Sequence, residues 1–136
     1  MNPGMIVTYK GDLRNEATHL RSGNQLITDA PIDNHGKGEA FSPTDLLCTS
    51  LAACMITLVG ITAESKGIRL GFVEAKIEKV MHNEPRRVGE IHIEIRIEDC
   101  GYTDREKSIL EHAAQTCPVA RSLHPDIKQE IVFSYS

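Results

Sequence analysis

Four cysteines are the residues best suited to covalent chemistry, and their sequence settings differ. Cys48 and Cys54 lie in one long apolar segment, whereas Cys100 lies in the polar turn sequence EDCGY, where we expect an exposed, incidental thiol. Cys117 precedes Pro118 at the predicted start of a helix. Free N–H groups and the helix dipole favour a thiolate there, so Cys117 is either a reactive thiol or a helix cap with an idle one.

Cys54 is a candidate nucleophile only if the fold supplies a positive charge. A thiol in the middle of an apolar helix is far from both helix ends, and burial disfavours its ionised form. An arginine suits this role, since its planar fork can hold a thiolate and a bound oxygen while a carboxylate fixes its position. Without such a cation, Cys54 is core filler, as we expect for Cys48. The arginines that could supply this positive charge are Arg14, Arg21, Arg86, Arg87 and Arg121.

The element that must position Cys54 is a predicted helix from Ser42 to Lys66. Ser42 and Asp45 have the spacing of a capping box, and proline suits the first helical position. Lys66 is followed by Gly67, which can adopt the left-handed conformation that ends a helix. No charged residue lies between positions 46 and 63, so the helix is apolar on nearly every side.

Such a helix must be covered by other protein or by lipid. Its threonines, its acidic boundaries and the lack of an aromatic belt argue against a membrane span. Because 136 residues provide little protein to wrap it, we expect a second copy of the chain to supply part of the cover, as a homodimer. The expected buried stripe consists of Leu47, Leu51, Cys54, Leu58 and Ile61.

Strand patterns on both sides of this helix predict a single α+β domain spanning residues 1–136, with antiparallel sheets and the helices on one face. The residues alternate without error over 88–98, with isoleucines on one side and polar residues on the other. Thr103 and Glu106 form a second capping box, followed by a short helix from Pro118. The predicted strands cover residues 5–9, 17–21, 25–28, 72–81, 88–98 and 127–135, and residues 29–41 form a loop.

Composition excludes several functions. A net charge of −4 with mixed signs argues against partners such as nucleic acid or a membrane surface. The N-terminus lacks a leader pattern, so we expect a cytoplasmic protein with reduced cysteines. The six histidines show no metal-ligand spacing, and we expect no metal and no cofactor. A metal site formed by Cys54, Cys117 and His19 is a minor alternative.

Two sequence motifs together resemble the OsmC/Ohr family, the osmotically inducible protein C and organic hydroperoxide resistance proteins. They are SPTDLLCTSLAACM and, about sixty residues later, TCPVARSL. The resemblance covers almost the whole chain in element order. It implies an intertwined homodimer whose central helices pack together between the sheets. It also implies that Cys54 is the peroxidatic thiolate and Cys117 the resolving thiol.

The chain departs from the family pattern at one functional position. Peroxidase members carry a glutamate ten residues before the peroxidatic cysteine, which holds the activating arginine, and Thr44 stands there in this chain. Asp45 and Glu39 are the candidates to replace it. The family arginine comes from the N-terminal meander, where Arg14 is our first choice over Arg21.

The sequence therefore leaves two hypotheses. The first is a thiol peroxidase that reduces organic hydroperoxides through Cys54, Cys117 and Arg14, and is reset by a dithiol reductant. The second is a non-catalytic dimer that binds a small apolar ligand or senses oxidation, which Thr44 favours.

Overall fold

The computed structural model describes all residues from Met1 to Ser136, which form two compact units, Met1–Leu47 and Cys48–Ser136. The chain has the predicted α+β composition, and along the sequence one long helix follows the first three strands and precedes the other three. The strands are β1 (Met5–Gly11), β2 (Arg14–His19), β3 (Gln25–Asp29), β4 (Val73–His82), β5 (Arg87–Ile97) and β6 (Lys128–Tyr135). The helices are α1 (Pro43–Lys66), α2 (Asp104–Gln115) and α3 (Pro118–Ser122), and a 3-10 turn covers Ile32–Asn34.

The first unit contains the predicted antiparallel meander, in the order β1-β2-β3. Val7, Ala17 and Leu26 are aligned across its three strands and therefore share one face. Met5 and Tyr9 lie on the same face, and the exposed fractions of Met5, Val7 and Tyr9 are 70%, 66% and 62%. This unit therefore presents an apolar sheet face to solvent.

The second unit is built on the sheet β4-β5-β6. β4 and β5 form the predicted antiparallel hairpin, and the inward side of β5 is fully covered, as expected. The expectation of antiparallel pairing is wrong for β6, which runs parallel to β5. The reason is that α2 and α3 form a crossover connection. It returns the chain to the edge of the sheet at which β5 begins, so that β6 runs in the same direction as β5. The covered residues of β5 are Ile91, Ile93, Ile95 and Ile97.

Local hydrogen bonds confirm both predicted ends of α1. The Ser42 hydroxyl accepts from the Asp45 N–H at 3.0 Å, and the Asp45 carboxylate accepts from the Ser42 N–H at 2.9 Å. At the other end, Gly67 has a φ of +66°, in the left-handed region. The N–H of Ile68 then reaches back to the carbonyl of Ala63 at 2.8 Å, which satisfies one of the last helical carbonyls.

The predicted buried stripe of α1 is wrong in part. Leu51 is buried as expected, but Leu47 and Ile61 are 37% and 57% exposed, and Cys54 and Leu58 are only partly buried. A helix that is apolar all round has no single period to mark its covered side, so packing on the isoleucines of β5 decides which side is buried. The residues of the buried side are Cys48, Leu51, Ala52, Met55, Val59 and Ala63.

By length and composition α1 could cross a membrane, and 33% of its most apolar window is buried inside the protein. The buried side belongs to the same apolar cluster as the β5 isoleucines, so α1 is a core helix of the second unit. The opposite side carries apolar residues that this single chain leaves exposed, such as Ile61.

The helices α2 and α3 complete this core. The Thr103 hydroxyl accepts from the Glu106 N–H at 3.1 Å, and the Glu106 carboxylate accepts from the Thr103 N–H at 3.0 Å, which confirms the second capping box. Leu110, Ala114 and Cys117 are completely buried within the same cluster as α1. The end of α2 and the start of α3 are therefore fixed against the central helix.

Candidate functional site

The structure brings together two of the four thiols, Cys54 and Cys117. Cys54 lies half-buried in the middle of α1, and Cys117 is the completely buried residue that begins α3. The Cys54 side chain lies close enough to raise the pKa of the Cys117 thiol. The Cys117 sulfur also accepts from the Ala120 N–H at 3.4 Å and lies 4.0 Å from the Leu51 carbonyl oxygen. It is therefore held at a fixed point beside α1.

The surroundings of Cys117 favour its neutral form. Burial raises the pKa of the Cys117 thiol, and the interaction with the Cys54 side chain raises it further. The N–H groups of Ala120 and Val119 at the start of α3 act in the opposite direction on this pKa, but they are the weaker influence. The helix-terminus position, which predicted thiolate character from sequence, is outweighed by burial.

The other two thiols have structural surroundings. Cys48 is 2% exposed and lies within the apolar core, as expected for a small hydrophobic residue. The sequence predicts an exposed Cys100, but this residue is partly buried and interacts with the Tyr102 hydroxyl. Burial, together with this interaction, raises the pKa of Tyr102 to about 12. The Tyr102 hydroxyl donates to the carbonyl of Arg69 at 2.6 Å, so this turn is tied to the segment after α1.

Arg14 forms a two-pronged ion pair in the first unit. Its Nε donates to Asp29 Oδ1 at 2.7 Å and its Nη2 donates to Asp29 Oδ2 at 2.8 Å. The Asp29 side chain is 1% exposed, and it also accepts from the Glu39 N–H at 3.2 Å. This geometry fixes the plane of the guanidinium and leaves its Nη1 group unused by Asp29. The hydrogen bond raises the pKa of Arg14 and lowers the pKa of Asp29.

Asp29 is the functional candidate that sequence reasoning missed. The sequence predicts Asp45 or Glu39 as the partner of an arginine, but Asp45 caps α1 through Ser42, and Glu39 contributes its backbone N–H to Asp29. Thr44 forms a hydrogen bond with Ser42 at 3.2 Å. The signal that could have found Asp29 is strand register, since Arg14 and Asp29 are direct neighbours across β2 and β3.

The remaining sequence candidates have other partners or surroundings. Arg87 donates to the carbonyls of Asn83 and Pro85 in the hairpin turn. The exposed His19 side chain forms a hydrogen bond with the Ser22 hydroxyl at 2.6 Å.

Comparison with known proteins identifies the family. The sequence model of the family described as OsmC-like protein matches residues 36–132, which include both cysteines of the pair. The chain belongs to the OsmC-like family. Among curated protein sequences, none matches this OsmC-like chain significantly.

Solved structures confirm the OsmC-like fold. A protein of Psychrobacter arcticus 273-4, provisionally named an osmotic stress induced and detoxification response protein, is 51% identical. The match has a TM-score of 0.92 and covers 98% of this chain and 96% of that one. An organic hydroperoxide resistance protein OsmC from Legionella pneumophila is 19% identical, with a TM-score of 0.71 and coverage of 96% of each chain. An OsmC-like protein from Mycoplasma pneumoniae is 18% identical, with a TM-score of 0.80 and coverage of 96% and 94%.

The Arg14–Asp29 pair predicts a specific pH dependence of stability. Because the pKa of Asp29 is lowered in the folded protein, its contribution is present above the ordinary aspartate pKa of ~3.9 and is lost as the pH falls through the lower folded value. We expect Asp29→Asn to reduce the free energy of unfolding by a constant amount between about pH 5 and 8, and by progressively less below about pH 4. Denaturant titrations of both proteins across this range measure the difference.

The matched control is Asp12→Asn, since the Asp12 side chain is 83% exposed and its oxygen is 3.9 Å from the nearest lysine nitrogen. This change should leave stability nearly constant at every pH. A difference between Asp29→Asn and the unmodified protein that stayed equally large below about pH 4 would contradict the assignment.

Proposed function

We propose that this OsmC-like protein is a cytoplasmic thiol peroxidase that reduces organic hydroperoxides through Cys54 and Cys117. The observation that carries the proposal is the interaction between the half-buried Cys54 side chain and the buried Cys117 thiol. Family membership supports it, and so does the fold shared with the Legionella pneumophila protein named for organic hydroperoxide resistance.

In the first step, Cys54 attacks one oxygen of the hydroperoxide as a thiolate. An S–O bond forms, the O–O bond breaks, and the leaving alkoxide takes a proton to become an alcohol. The sulfur is oxidised to a sulfenic acid and the peroxide is reduced by two electrons. Cys54 suits this role because it is half-buried and so open to a substrate, whereas Cys117 is completely buried.

In the second step, the Cys117 sulfur attacks the Cys54 sulfenic acid. An S–S bond forms and the hydroxyl leaves as water with the Cys117 proton. A dithiol reductant then supplies two electrons and two protons to restore both thiols. The raised pKa of Cys117 fits this order. A neutral Cys117 thiol can donate a hydrogen bond to a Cys54 thiolate before the peroxide arrives.

The apolar surroundings of Cys54 favour organic peroxides. Leu58 lies one helical turn further along the same side of α1, and Ile61 follows and is 57% exposed. An alkyl tail that covers these side chains gains about 25 cal/mol per Å2 of apolar surface removed from water. Hydrogen peroxide has no such tail.

Arg14 is the proposed activating cation, with Asp29 holding its guanidinium in one orientation. The N–H groups that Asp29 does not use can stabilise the thiolate and the departing peroxide oxygen. The alternative of a non-catalytic dimer is favoured by the threonine at position 44, where peroxidase members carry the glutamate that holds the arginine. Asp29 provides a carboxylate for Arg14 in place of that glutamate, which counters this argument against catalysis.

We also propose that the working form is a homodimer. In the first unit the only buried residues are Thr28, Asp29 and Ser42, so its sheet has no apolar core of its own. A contiguous apolar face that is exposed to solvent marks a surface for contact with other protein. The exposed side of α1 also carries apolar residues, and a second copy of the chain can cover both.

Substitution of the cysteines tests the thiol mechanism. We expect Cys54→Ser to abolish consumption of cumene hydroperoxide with dithiothreitol, because no other accessible thiol interacts with a second thiol. Cys117→Ser should still react once, and its Cys54 sulfenic acid should persist long enough for trapping by dimedone and detection by intact mass. Cys100→Ser is the control and should retain full turnover. Undiminished turnover by Cys54→Ser would refute the mechanism.

Replacement of Arg14 tests its role separately. Arg14→Lys keeps the charge but loses the planar fork, so we expect the rate of Cys54 oxidation to fall by about 10²-fold, as for loss of one donor to a developing oxyanion. Stopped-flow measurement of a single turnover gives this rate. Arg21→Lys, in the same meander and exposed, should change nothing. Equal rates for the two variants would exclude Arg14.

Light scattering after size-exclusion chromatography tests the homodimer. The unmodified protein should have twice the 15.0 kDa chain mass. Val7→Glu places a charge on the apolar sheet face and should produce monomer or aggregate, since burial of an unpaired charge is costly. Thr8→Glu, on the opposite face of β1, should remain dimeric. A monomeric unmodified protein at micromolar concentration would overturn the proposal.

A further inference from the structure

A groove in the second unit is lined by three basic side chains and by two apolar ones. It lies between the C-terminal part of α1 and the exposed side of α2, and has a volume of about 420 Å³. Three basic residues line it: Lys66 from the last turn of α1, Arg105 from the first turn of α2, and His112 two turns later. The volume is within the usual range of ~300–1,000 Å³ for small-molecule sites.

These basic groups lack acidic partners. None of Lys66, Arg105 and His112 forms an ion pair with a carboxylate. Two carboxylates of α2 are committed elsewhere, since Glu106 caps the helix through Thr103 and Glu111 accepts from the Tyr135 hydroxyl at 2.8 Å. The nearest remaining acids along the chain are Asp104 and Glu64, and neither lines the groove.

Positive charge without a partner is notable in a chain whose net charge is −4. Like charges that share one concave surface repel each other, and an anion placed between them removes that repulsion. The hydroxyl groups of Thr62 and Ser108 also line the groove and add hydrogen-bond donors.

The floor of the groove is apolar. Ile109 is partly buried and Ala113 is 7% exposed, and both lie on the same side of α2 as Arg105. A simple inorganic anion would leave this floor in contact with water. A ligand with an alkyl part would cover it while its charged group reached the rim.

We propose that this groove binds an amphiphilic carboxylate, with the carboxylate between Arg105 and Lys66 and the alkyl chain against Ile109 and Ala113. The guanidinium fork of Arg105 matches a carboxylate in a two-pronged arrangement. The charged end of the site lies away from the thiol pair, because Lys66 lies twelve residues after Cys54 on one helix, about 18 Å along its axis. The proposal therefore does not depend on peroxidase activity.

Titration with octanoate tests the proposal on the full-length protein. Calorimetry should show binding, and backbone amide NMR signals of Thr62, Ser108 and Ala113 should shift. Lys66→Gln and Arg105→Gln should each weaken octanoate affinity by about tenfold, the loss typical of one charge-assisted hydrogen bond. Affinity should also fall as salt is raised, because the basic groups are exposed. Lys128→Gln is the matched control on an exposed lysine of β6 and should bind as the unmodified protein does.

Two further probes separate the parts of the ligand. Octanol has the same chain without the charge, and inorganic phosphate has charge without a chain. Both should bind at least about tenfold more weakly than octanoate. Equal binding of octanol or of phosphate would overturn the proposal, as would unchanged affinity in both groove variants or NMR shifts confined to the surroundings of Cys54. Far-ultraviolet circular dichroism of each variant verifies that it is folded.

Discussion

The packing of α1 on the isoleucines of β5 is the constraint on which the rest of the structure depends. That contact chooses one side of a helix that is apolar all round, and it buries Leu51, Met55 and Val59 at the centre. Cys54 consequently lies at the margin of the buried side, where it is half-buried. A rotation of the helix by one residue would bury Cys54 or expose it fully, and either change would alter the access of a small molecule to its sulfur.

The position of Cys117 follows from the same core. Leu110 and Ala114 anchor α2 beside α1, so the chain that leaves α2 begins α3 next to the central helix. The Cys117 sulfur then serves two purposes, since it caps α3 through Ala120 and contacts Cys54. Burial raises the pKa of this thiol, and the completely buried Cys117 therefore differs in its surroundings from the half-buried Cys54.

The first unit obeys a different constraint, which is electrostatic. Its sheet buries no apolar residue, whereas Asp29 is 1% exposed and holds Arg14 by two hydrogen bonds. A buried carboxylate is tolerable only when it is paired and hydrogen-bonded, and Arg14 and the Glu39 N–H meet that need. The ion pair that makes this buried carboxylate tolerable is therefore also the contact that orients a guanidinium.

The sequence by itself determined the features that depend on neighbouring residues. The caps of α1 and α2, the alternating isoleucines of β5 and the cap position of Cys117 could all be predicted, because each follows from spacing within a few residues. Only the tertiary structure decided the covered side of α1, the parallel direction of β6, the Cys54–Cys117 contact and the choice of Asp29 as the partner of Arg14. Those features depend on strand register and on packing between residues distant in sequence. The covered side of α1 in particular could not be predicted, because a helix that is apolar all round has no pattern that marks one side.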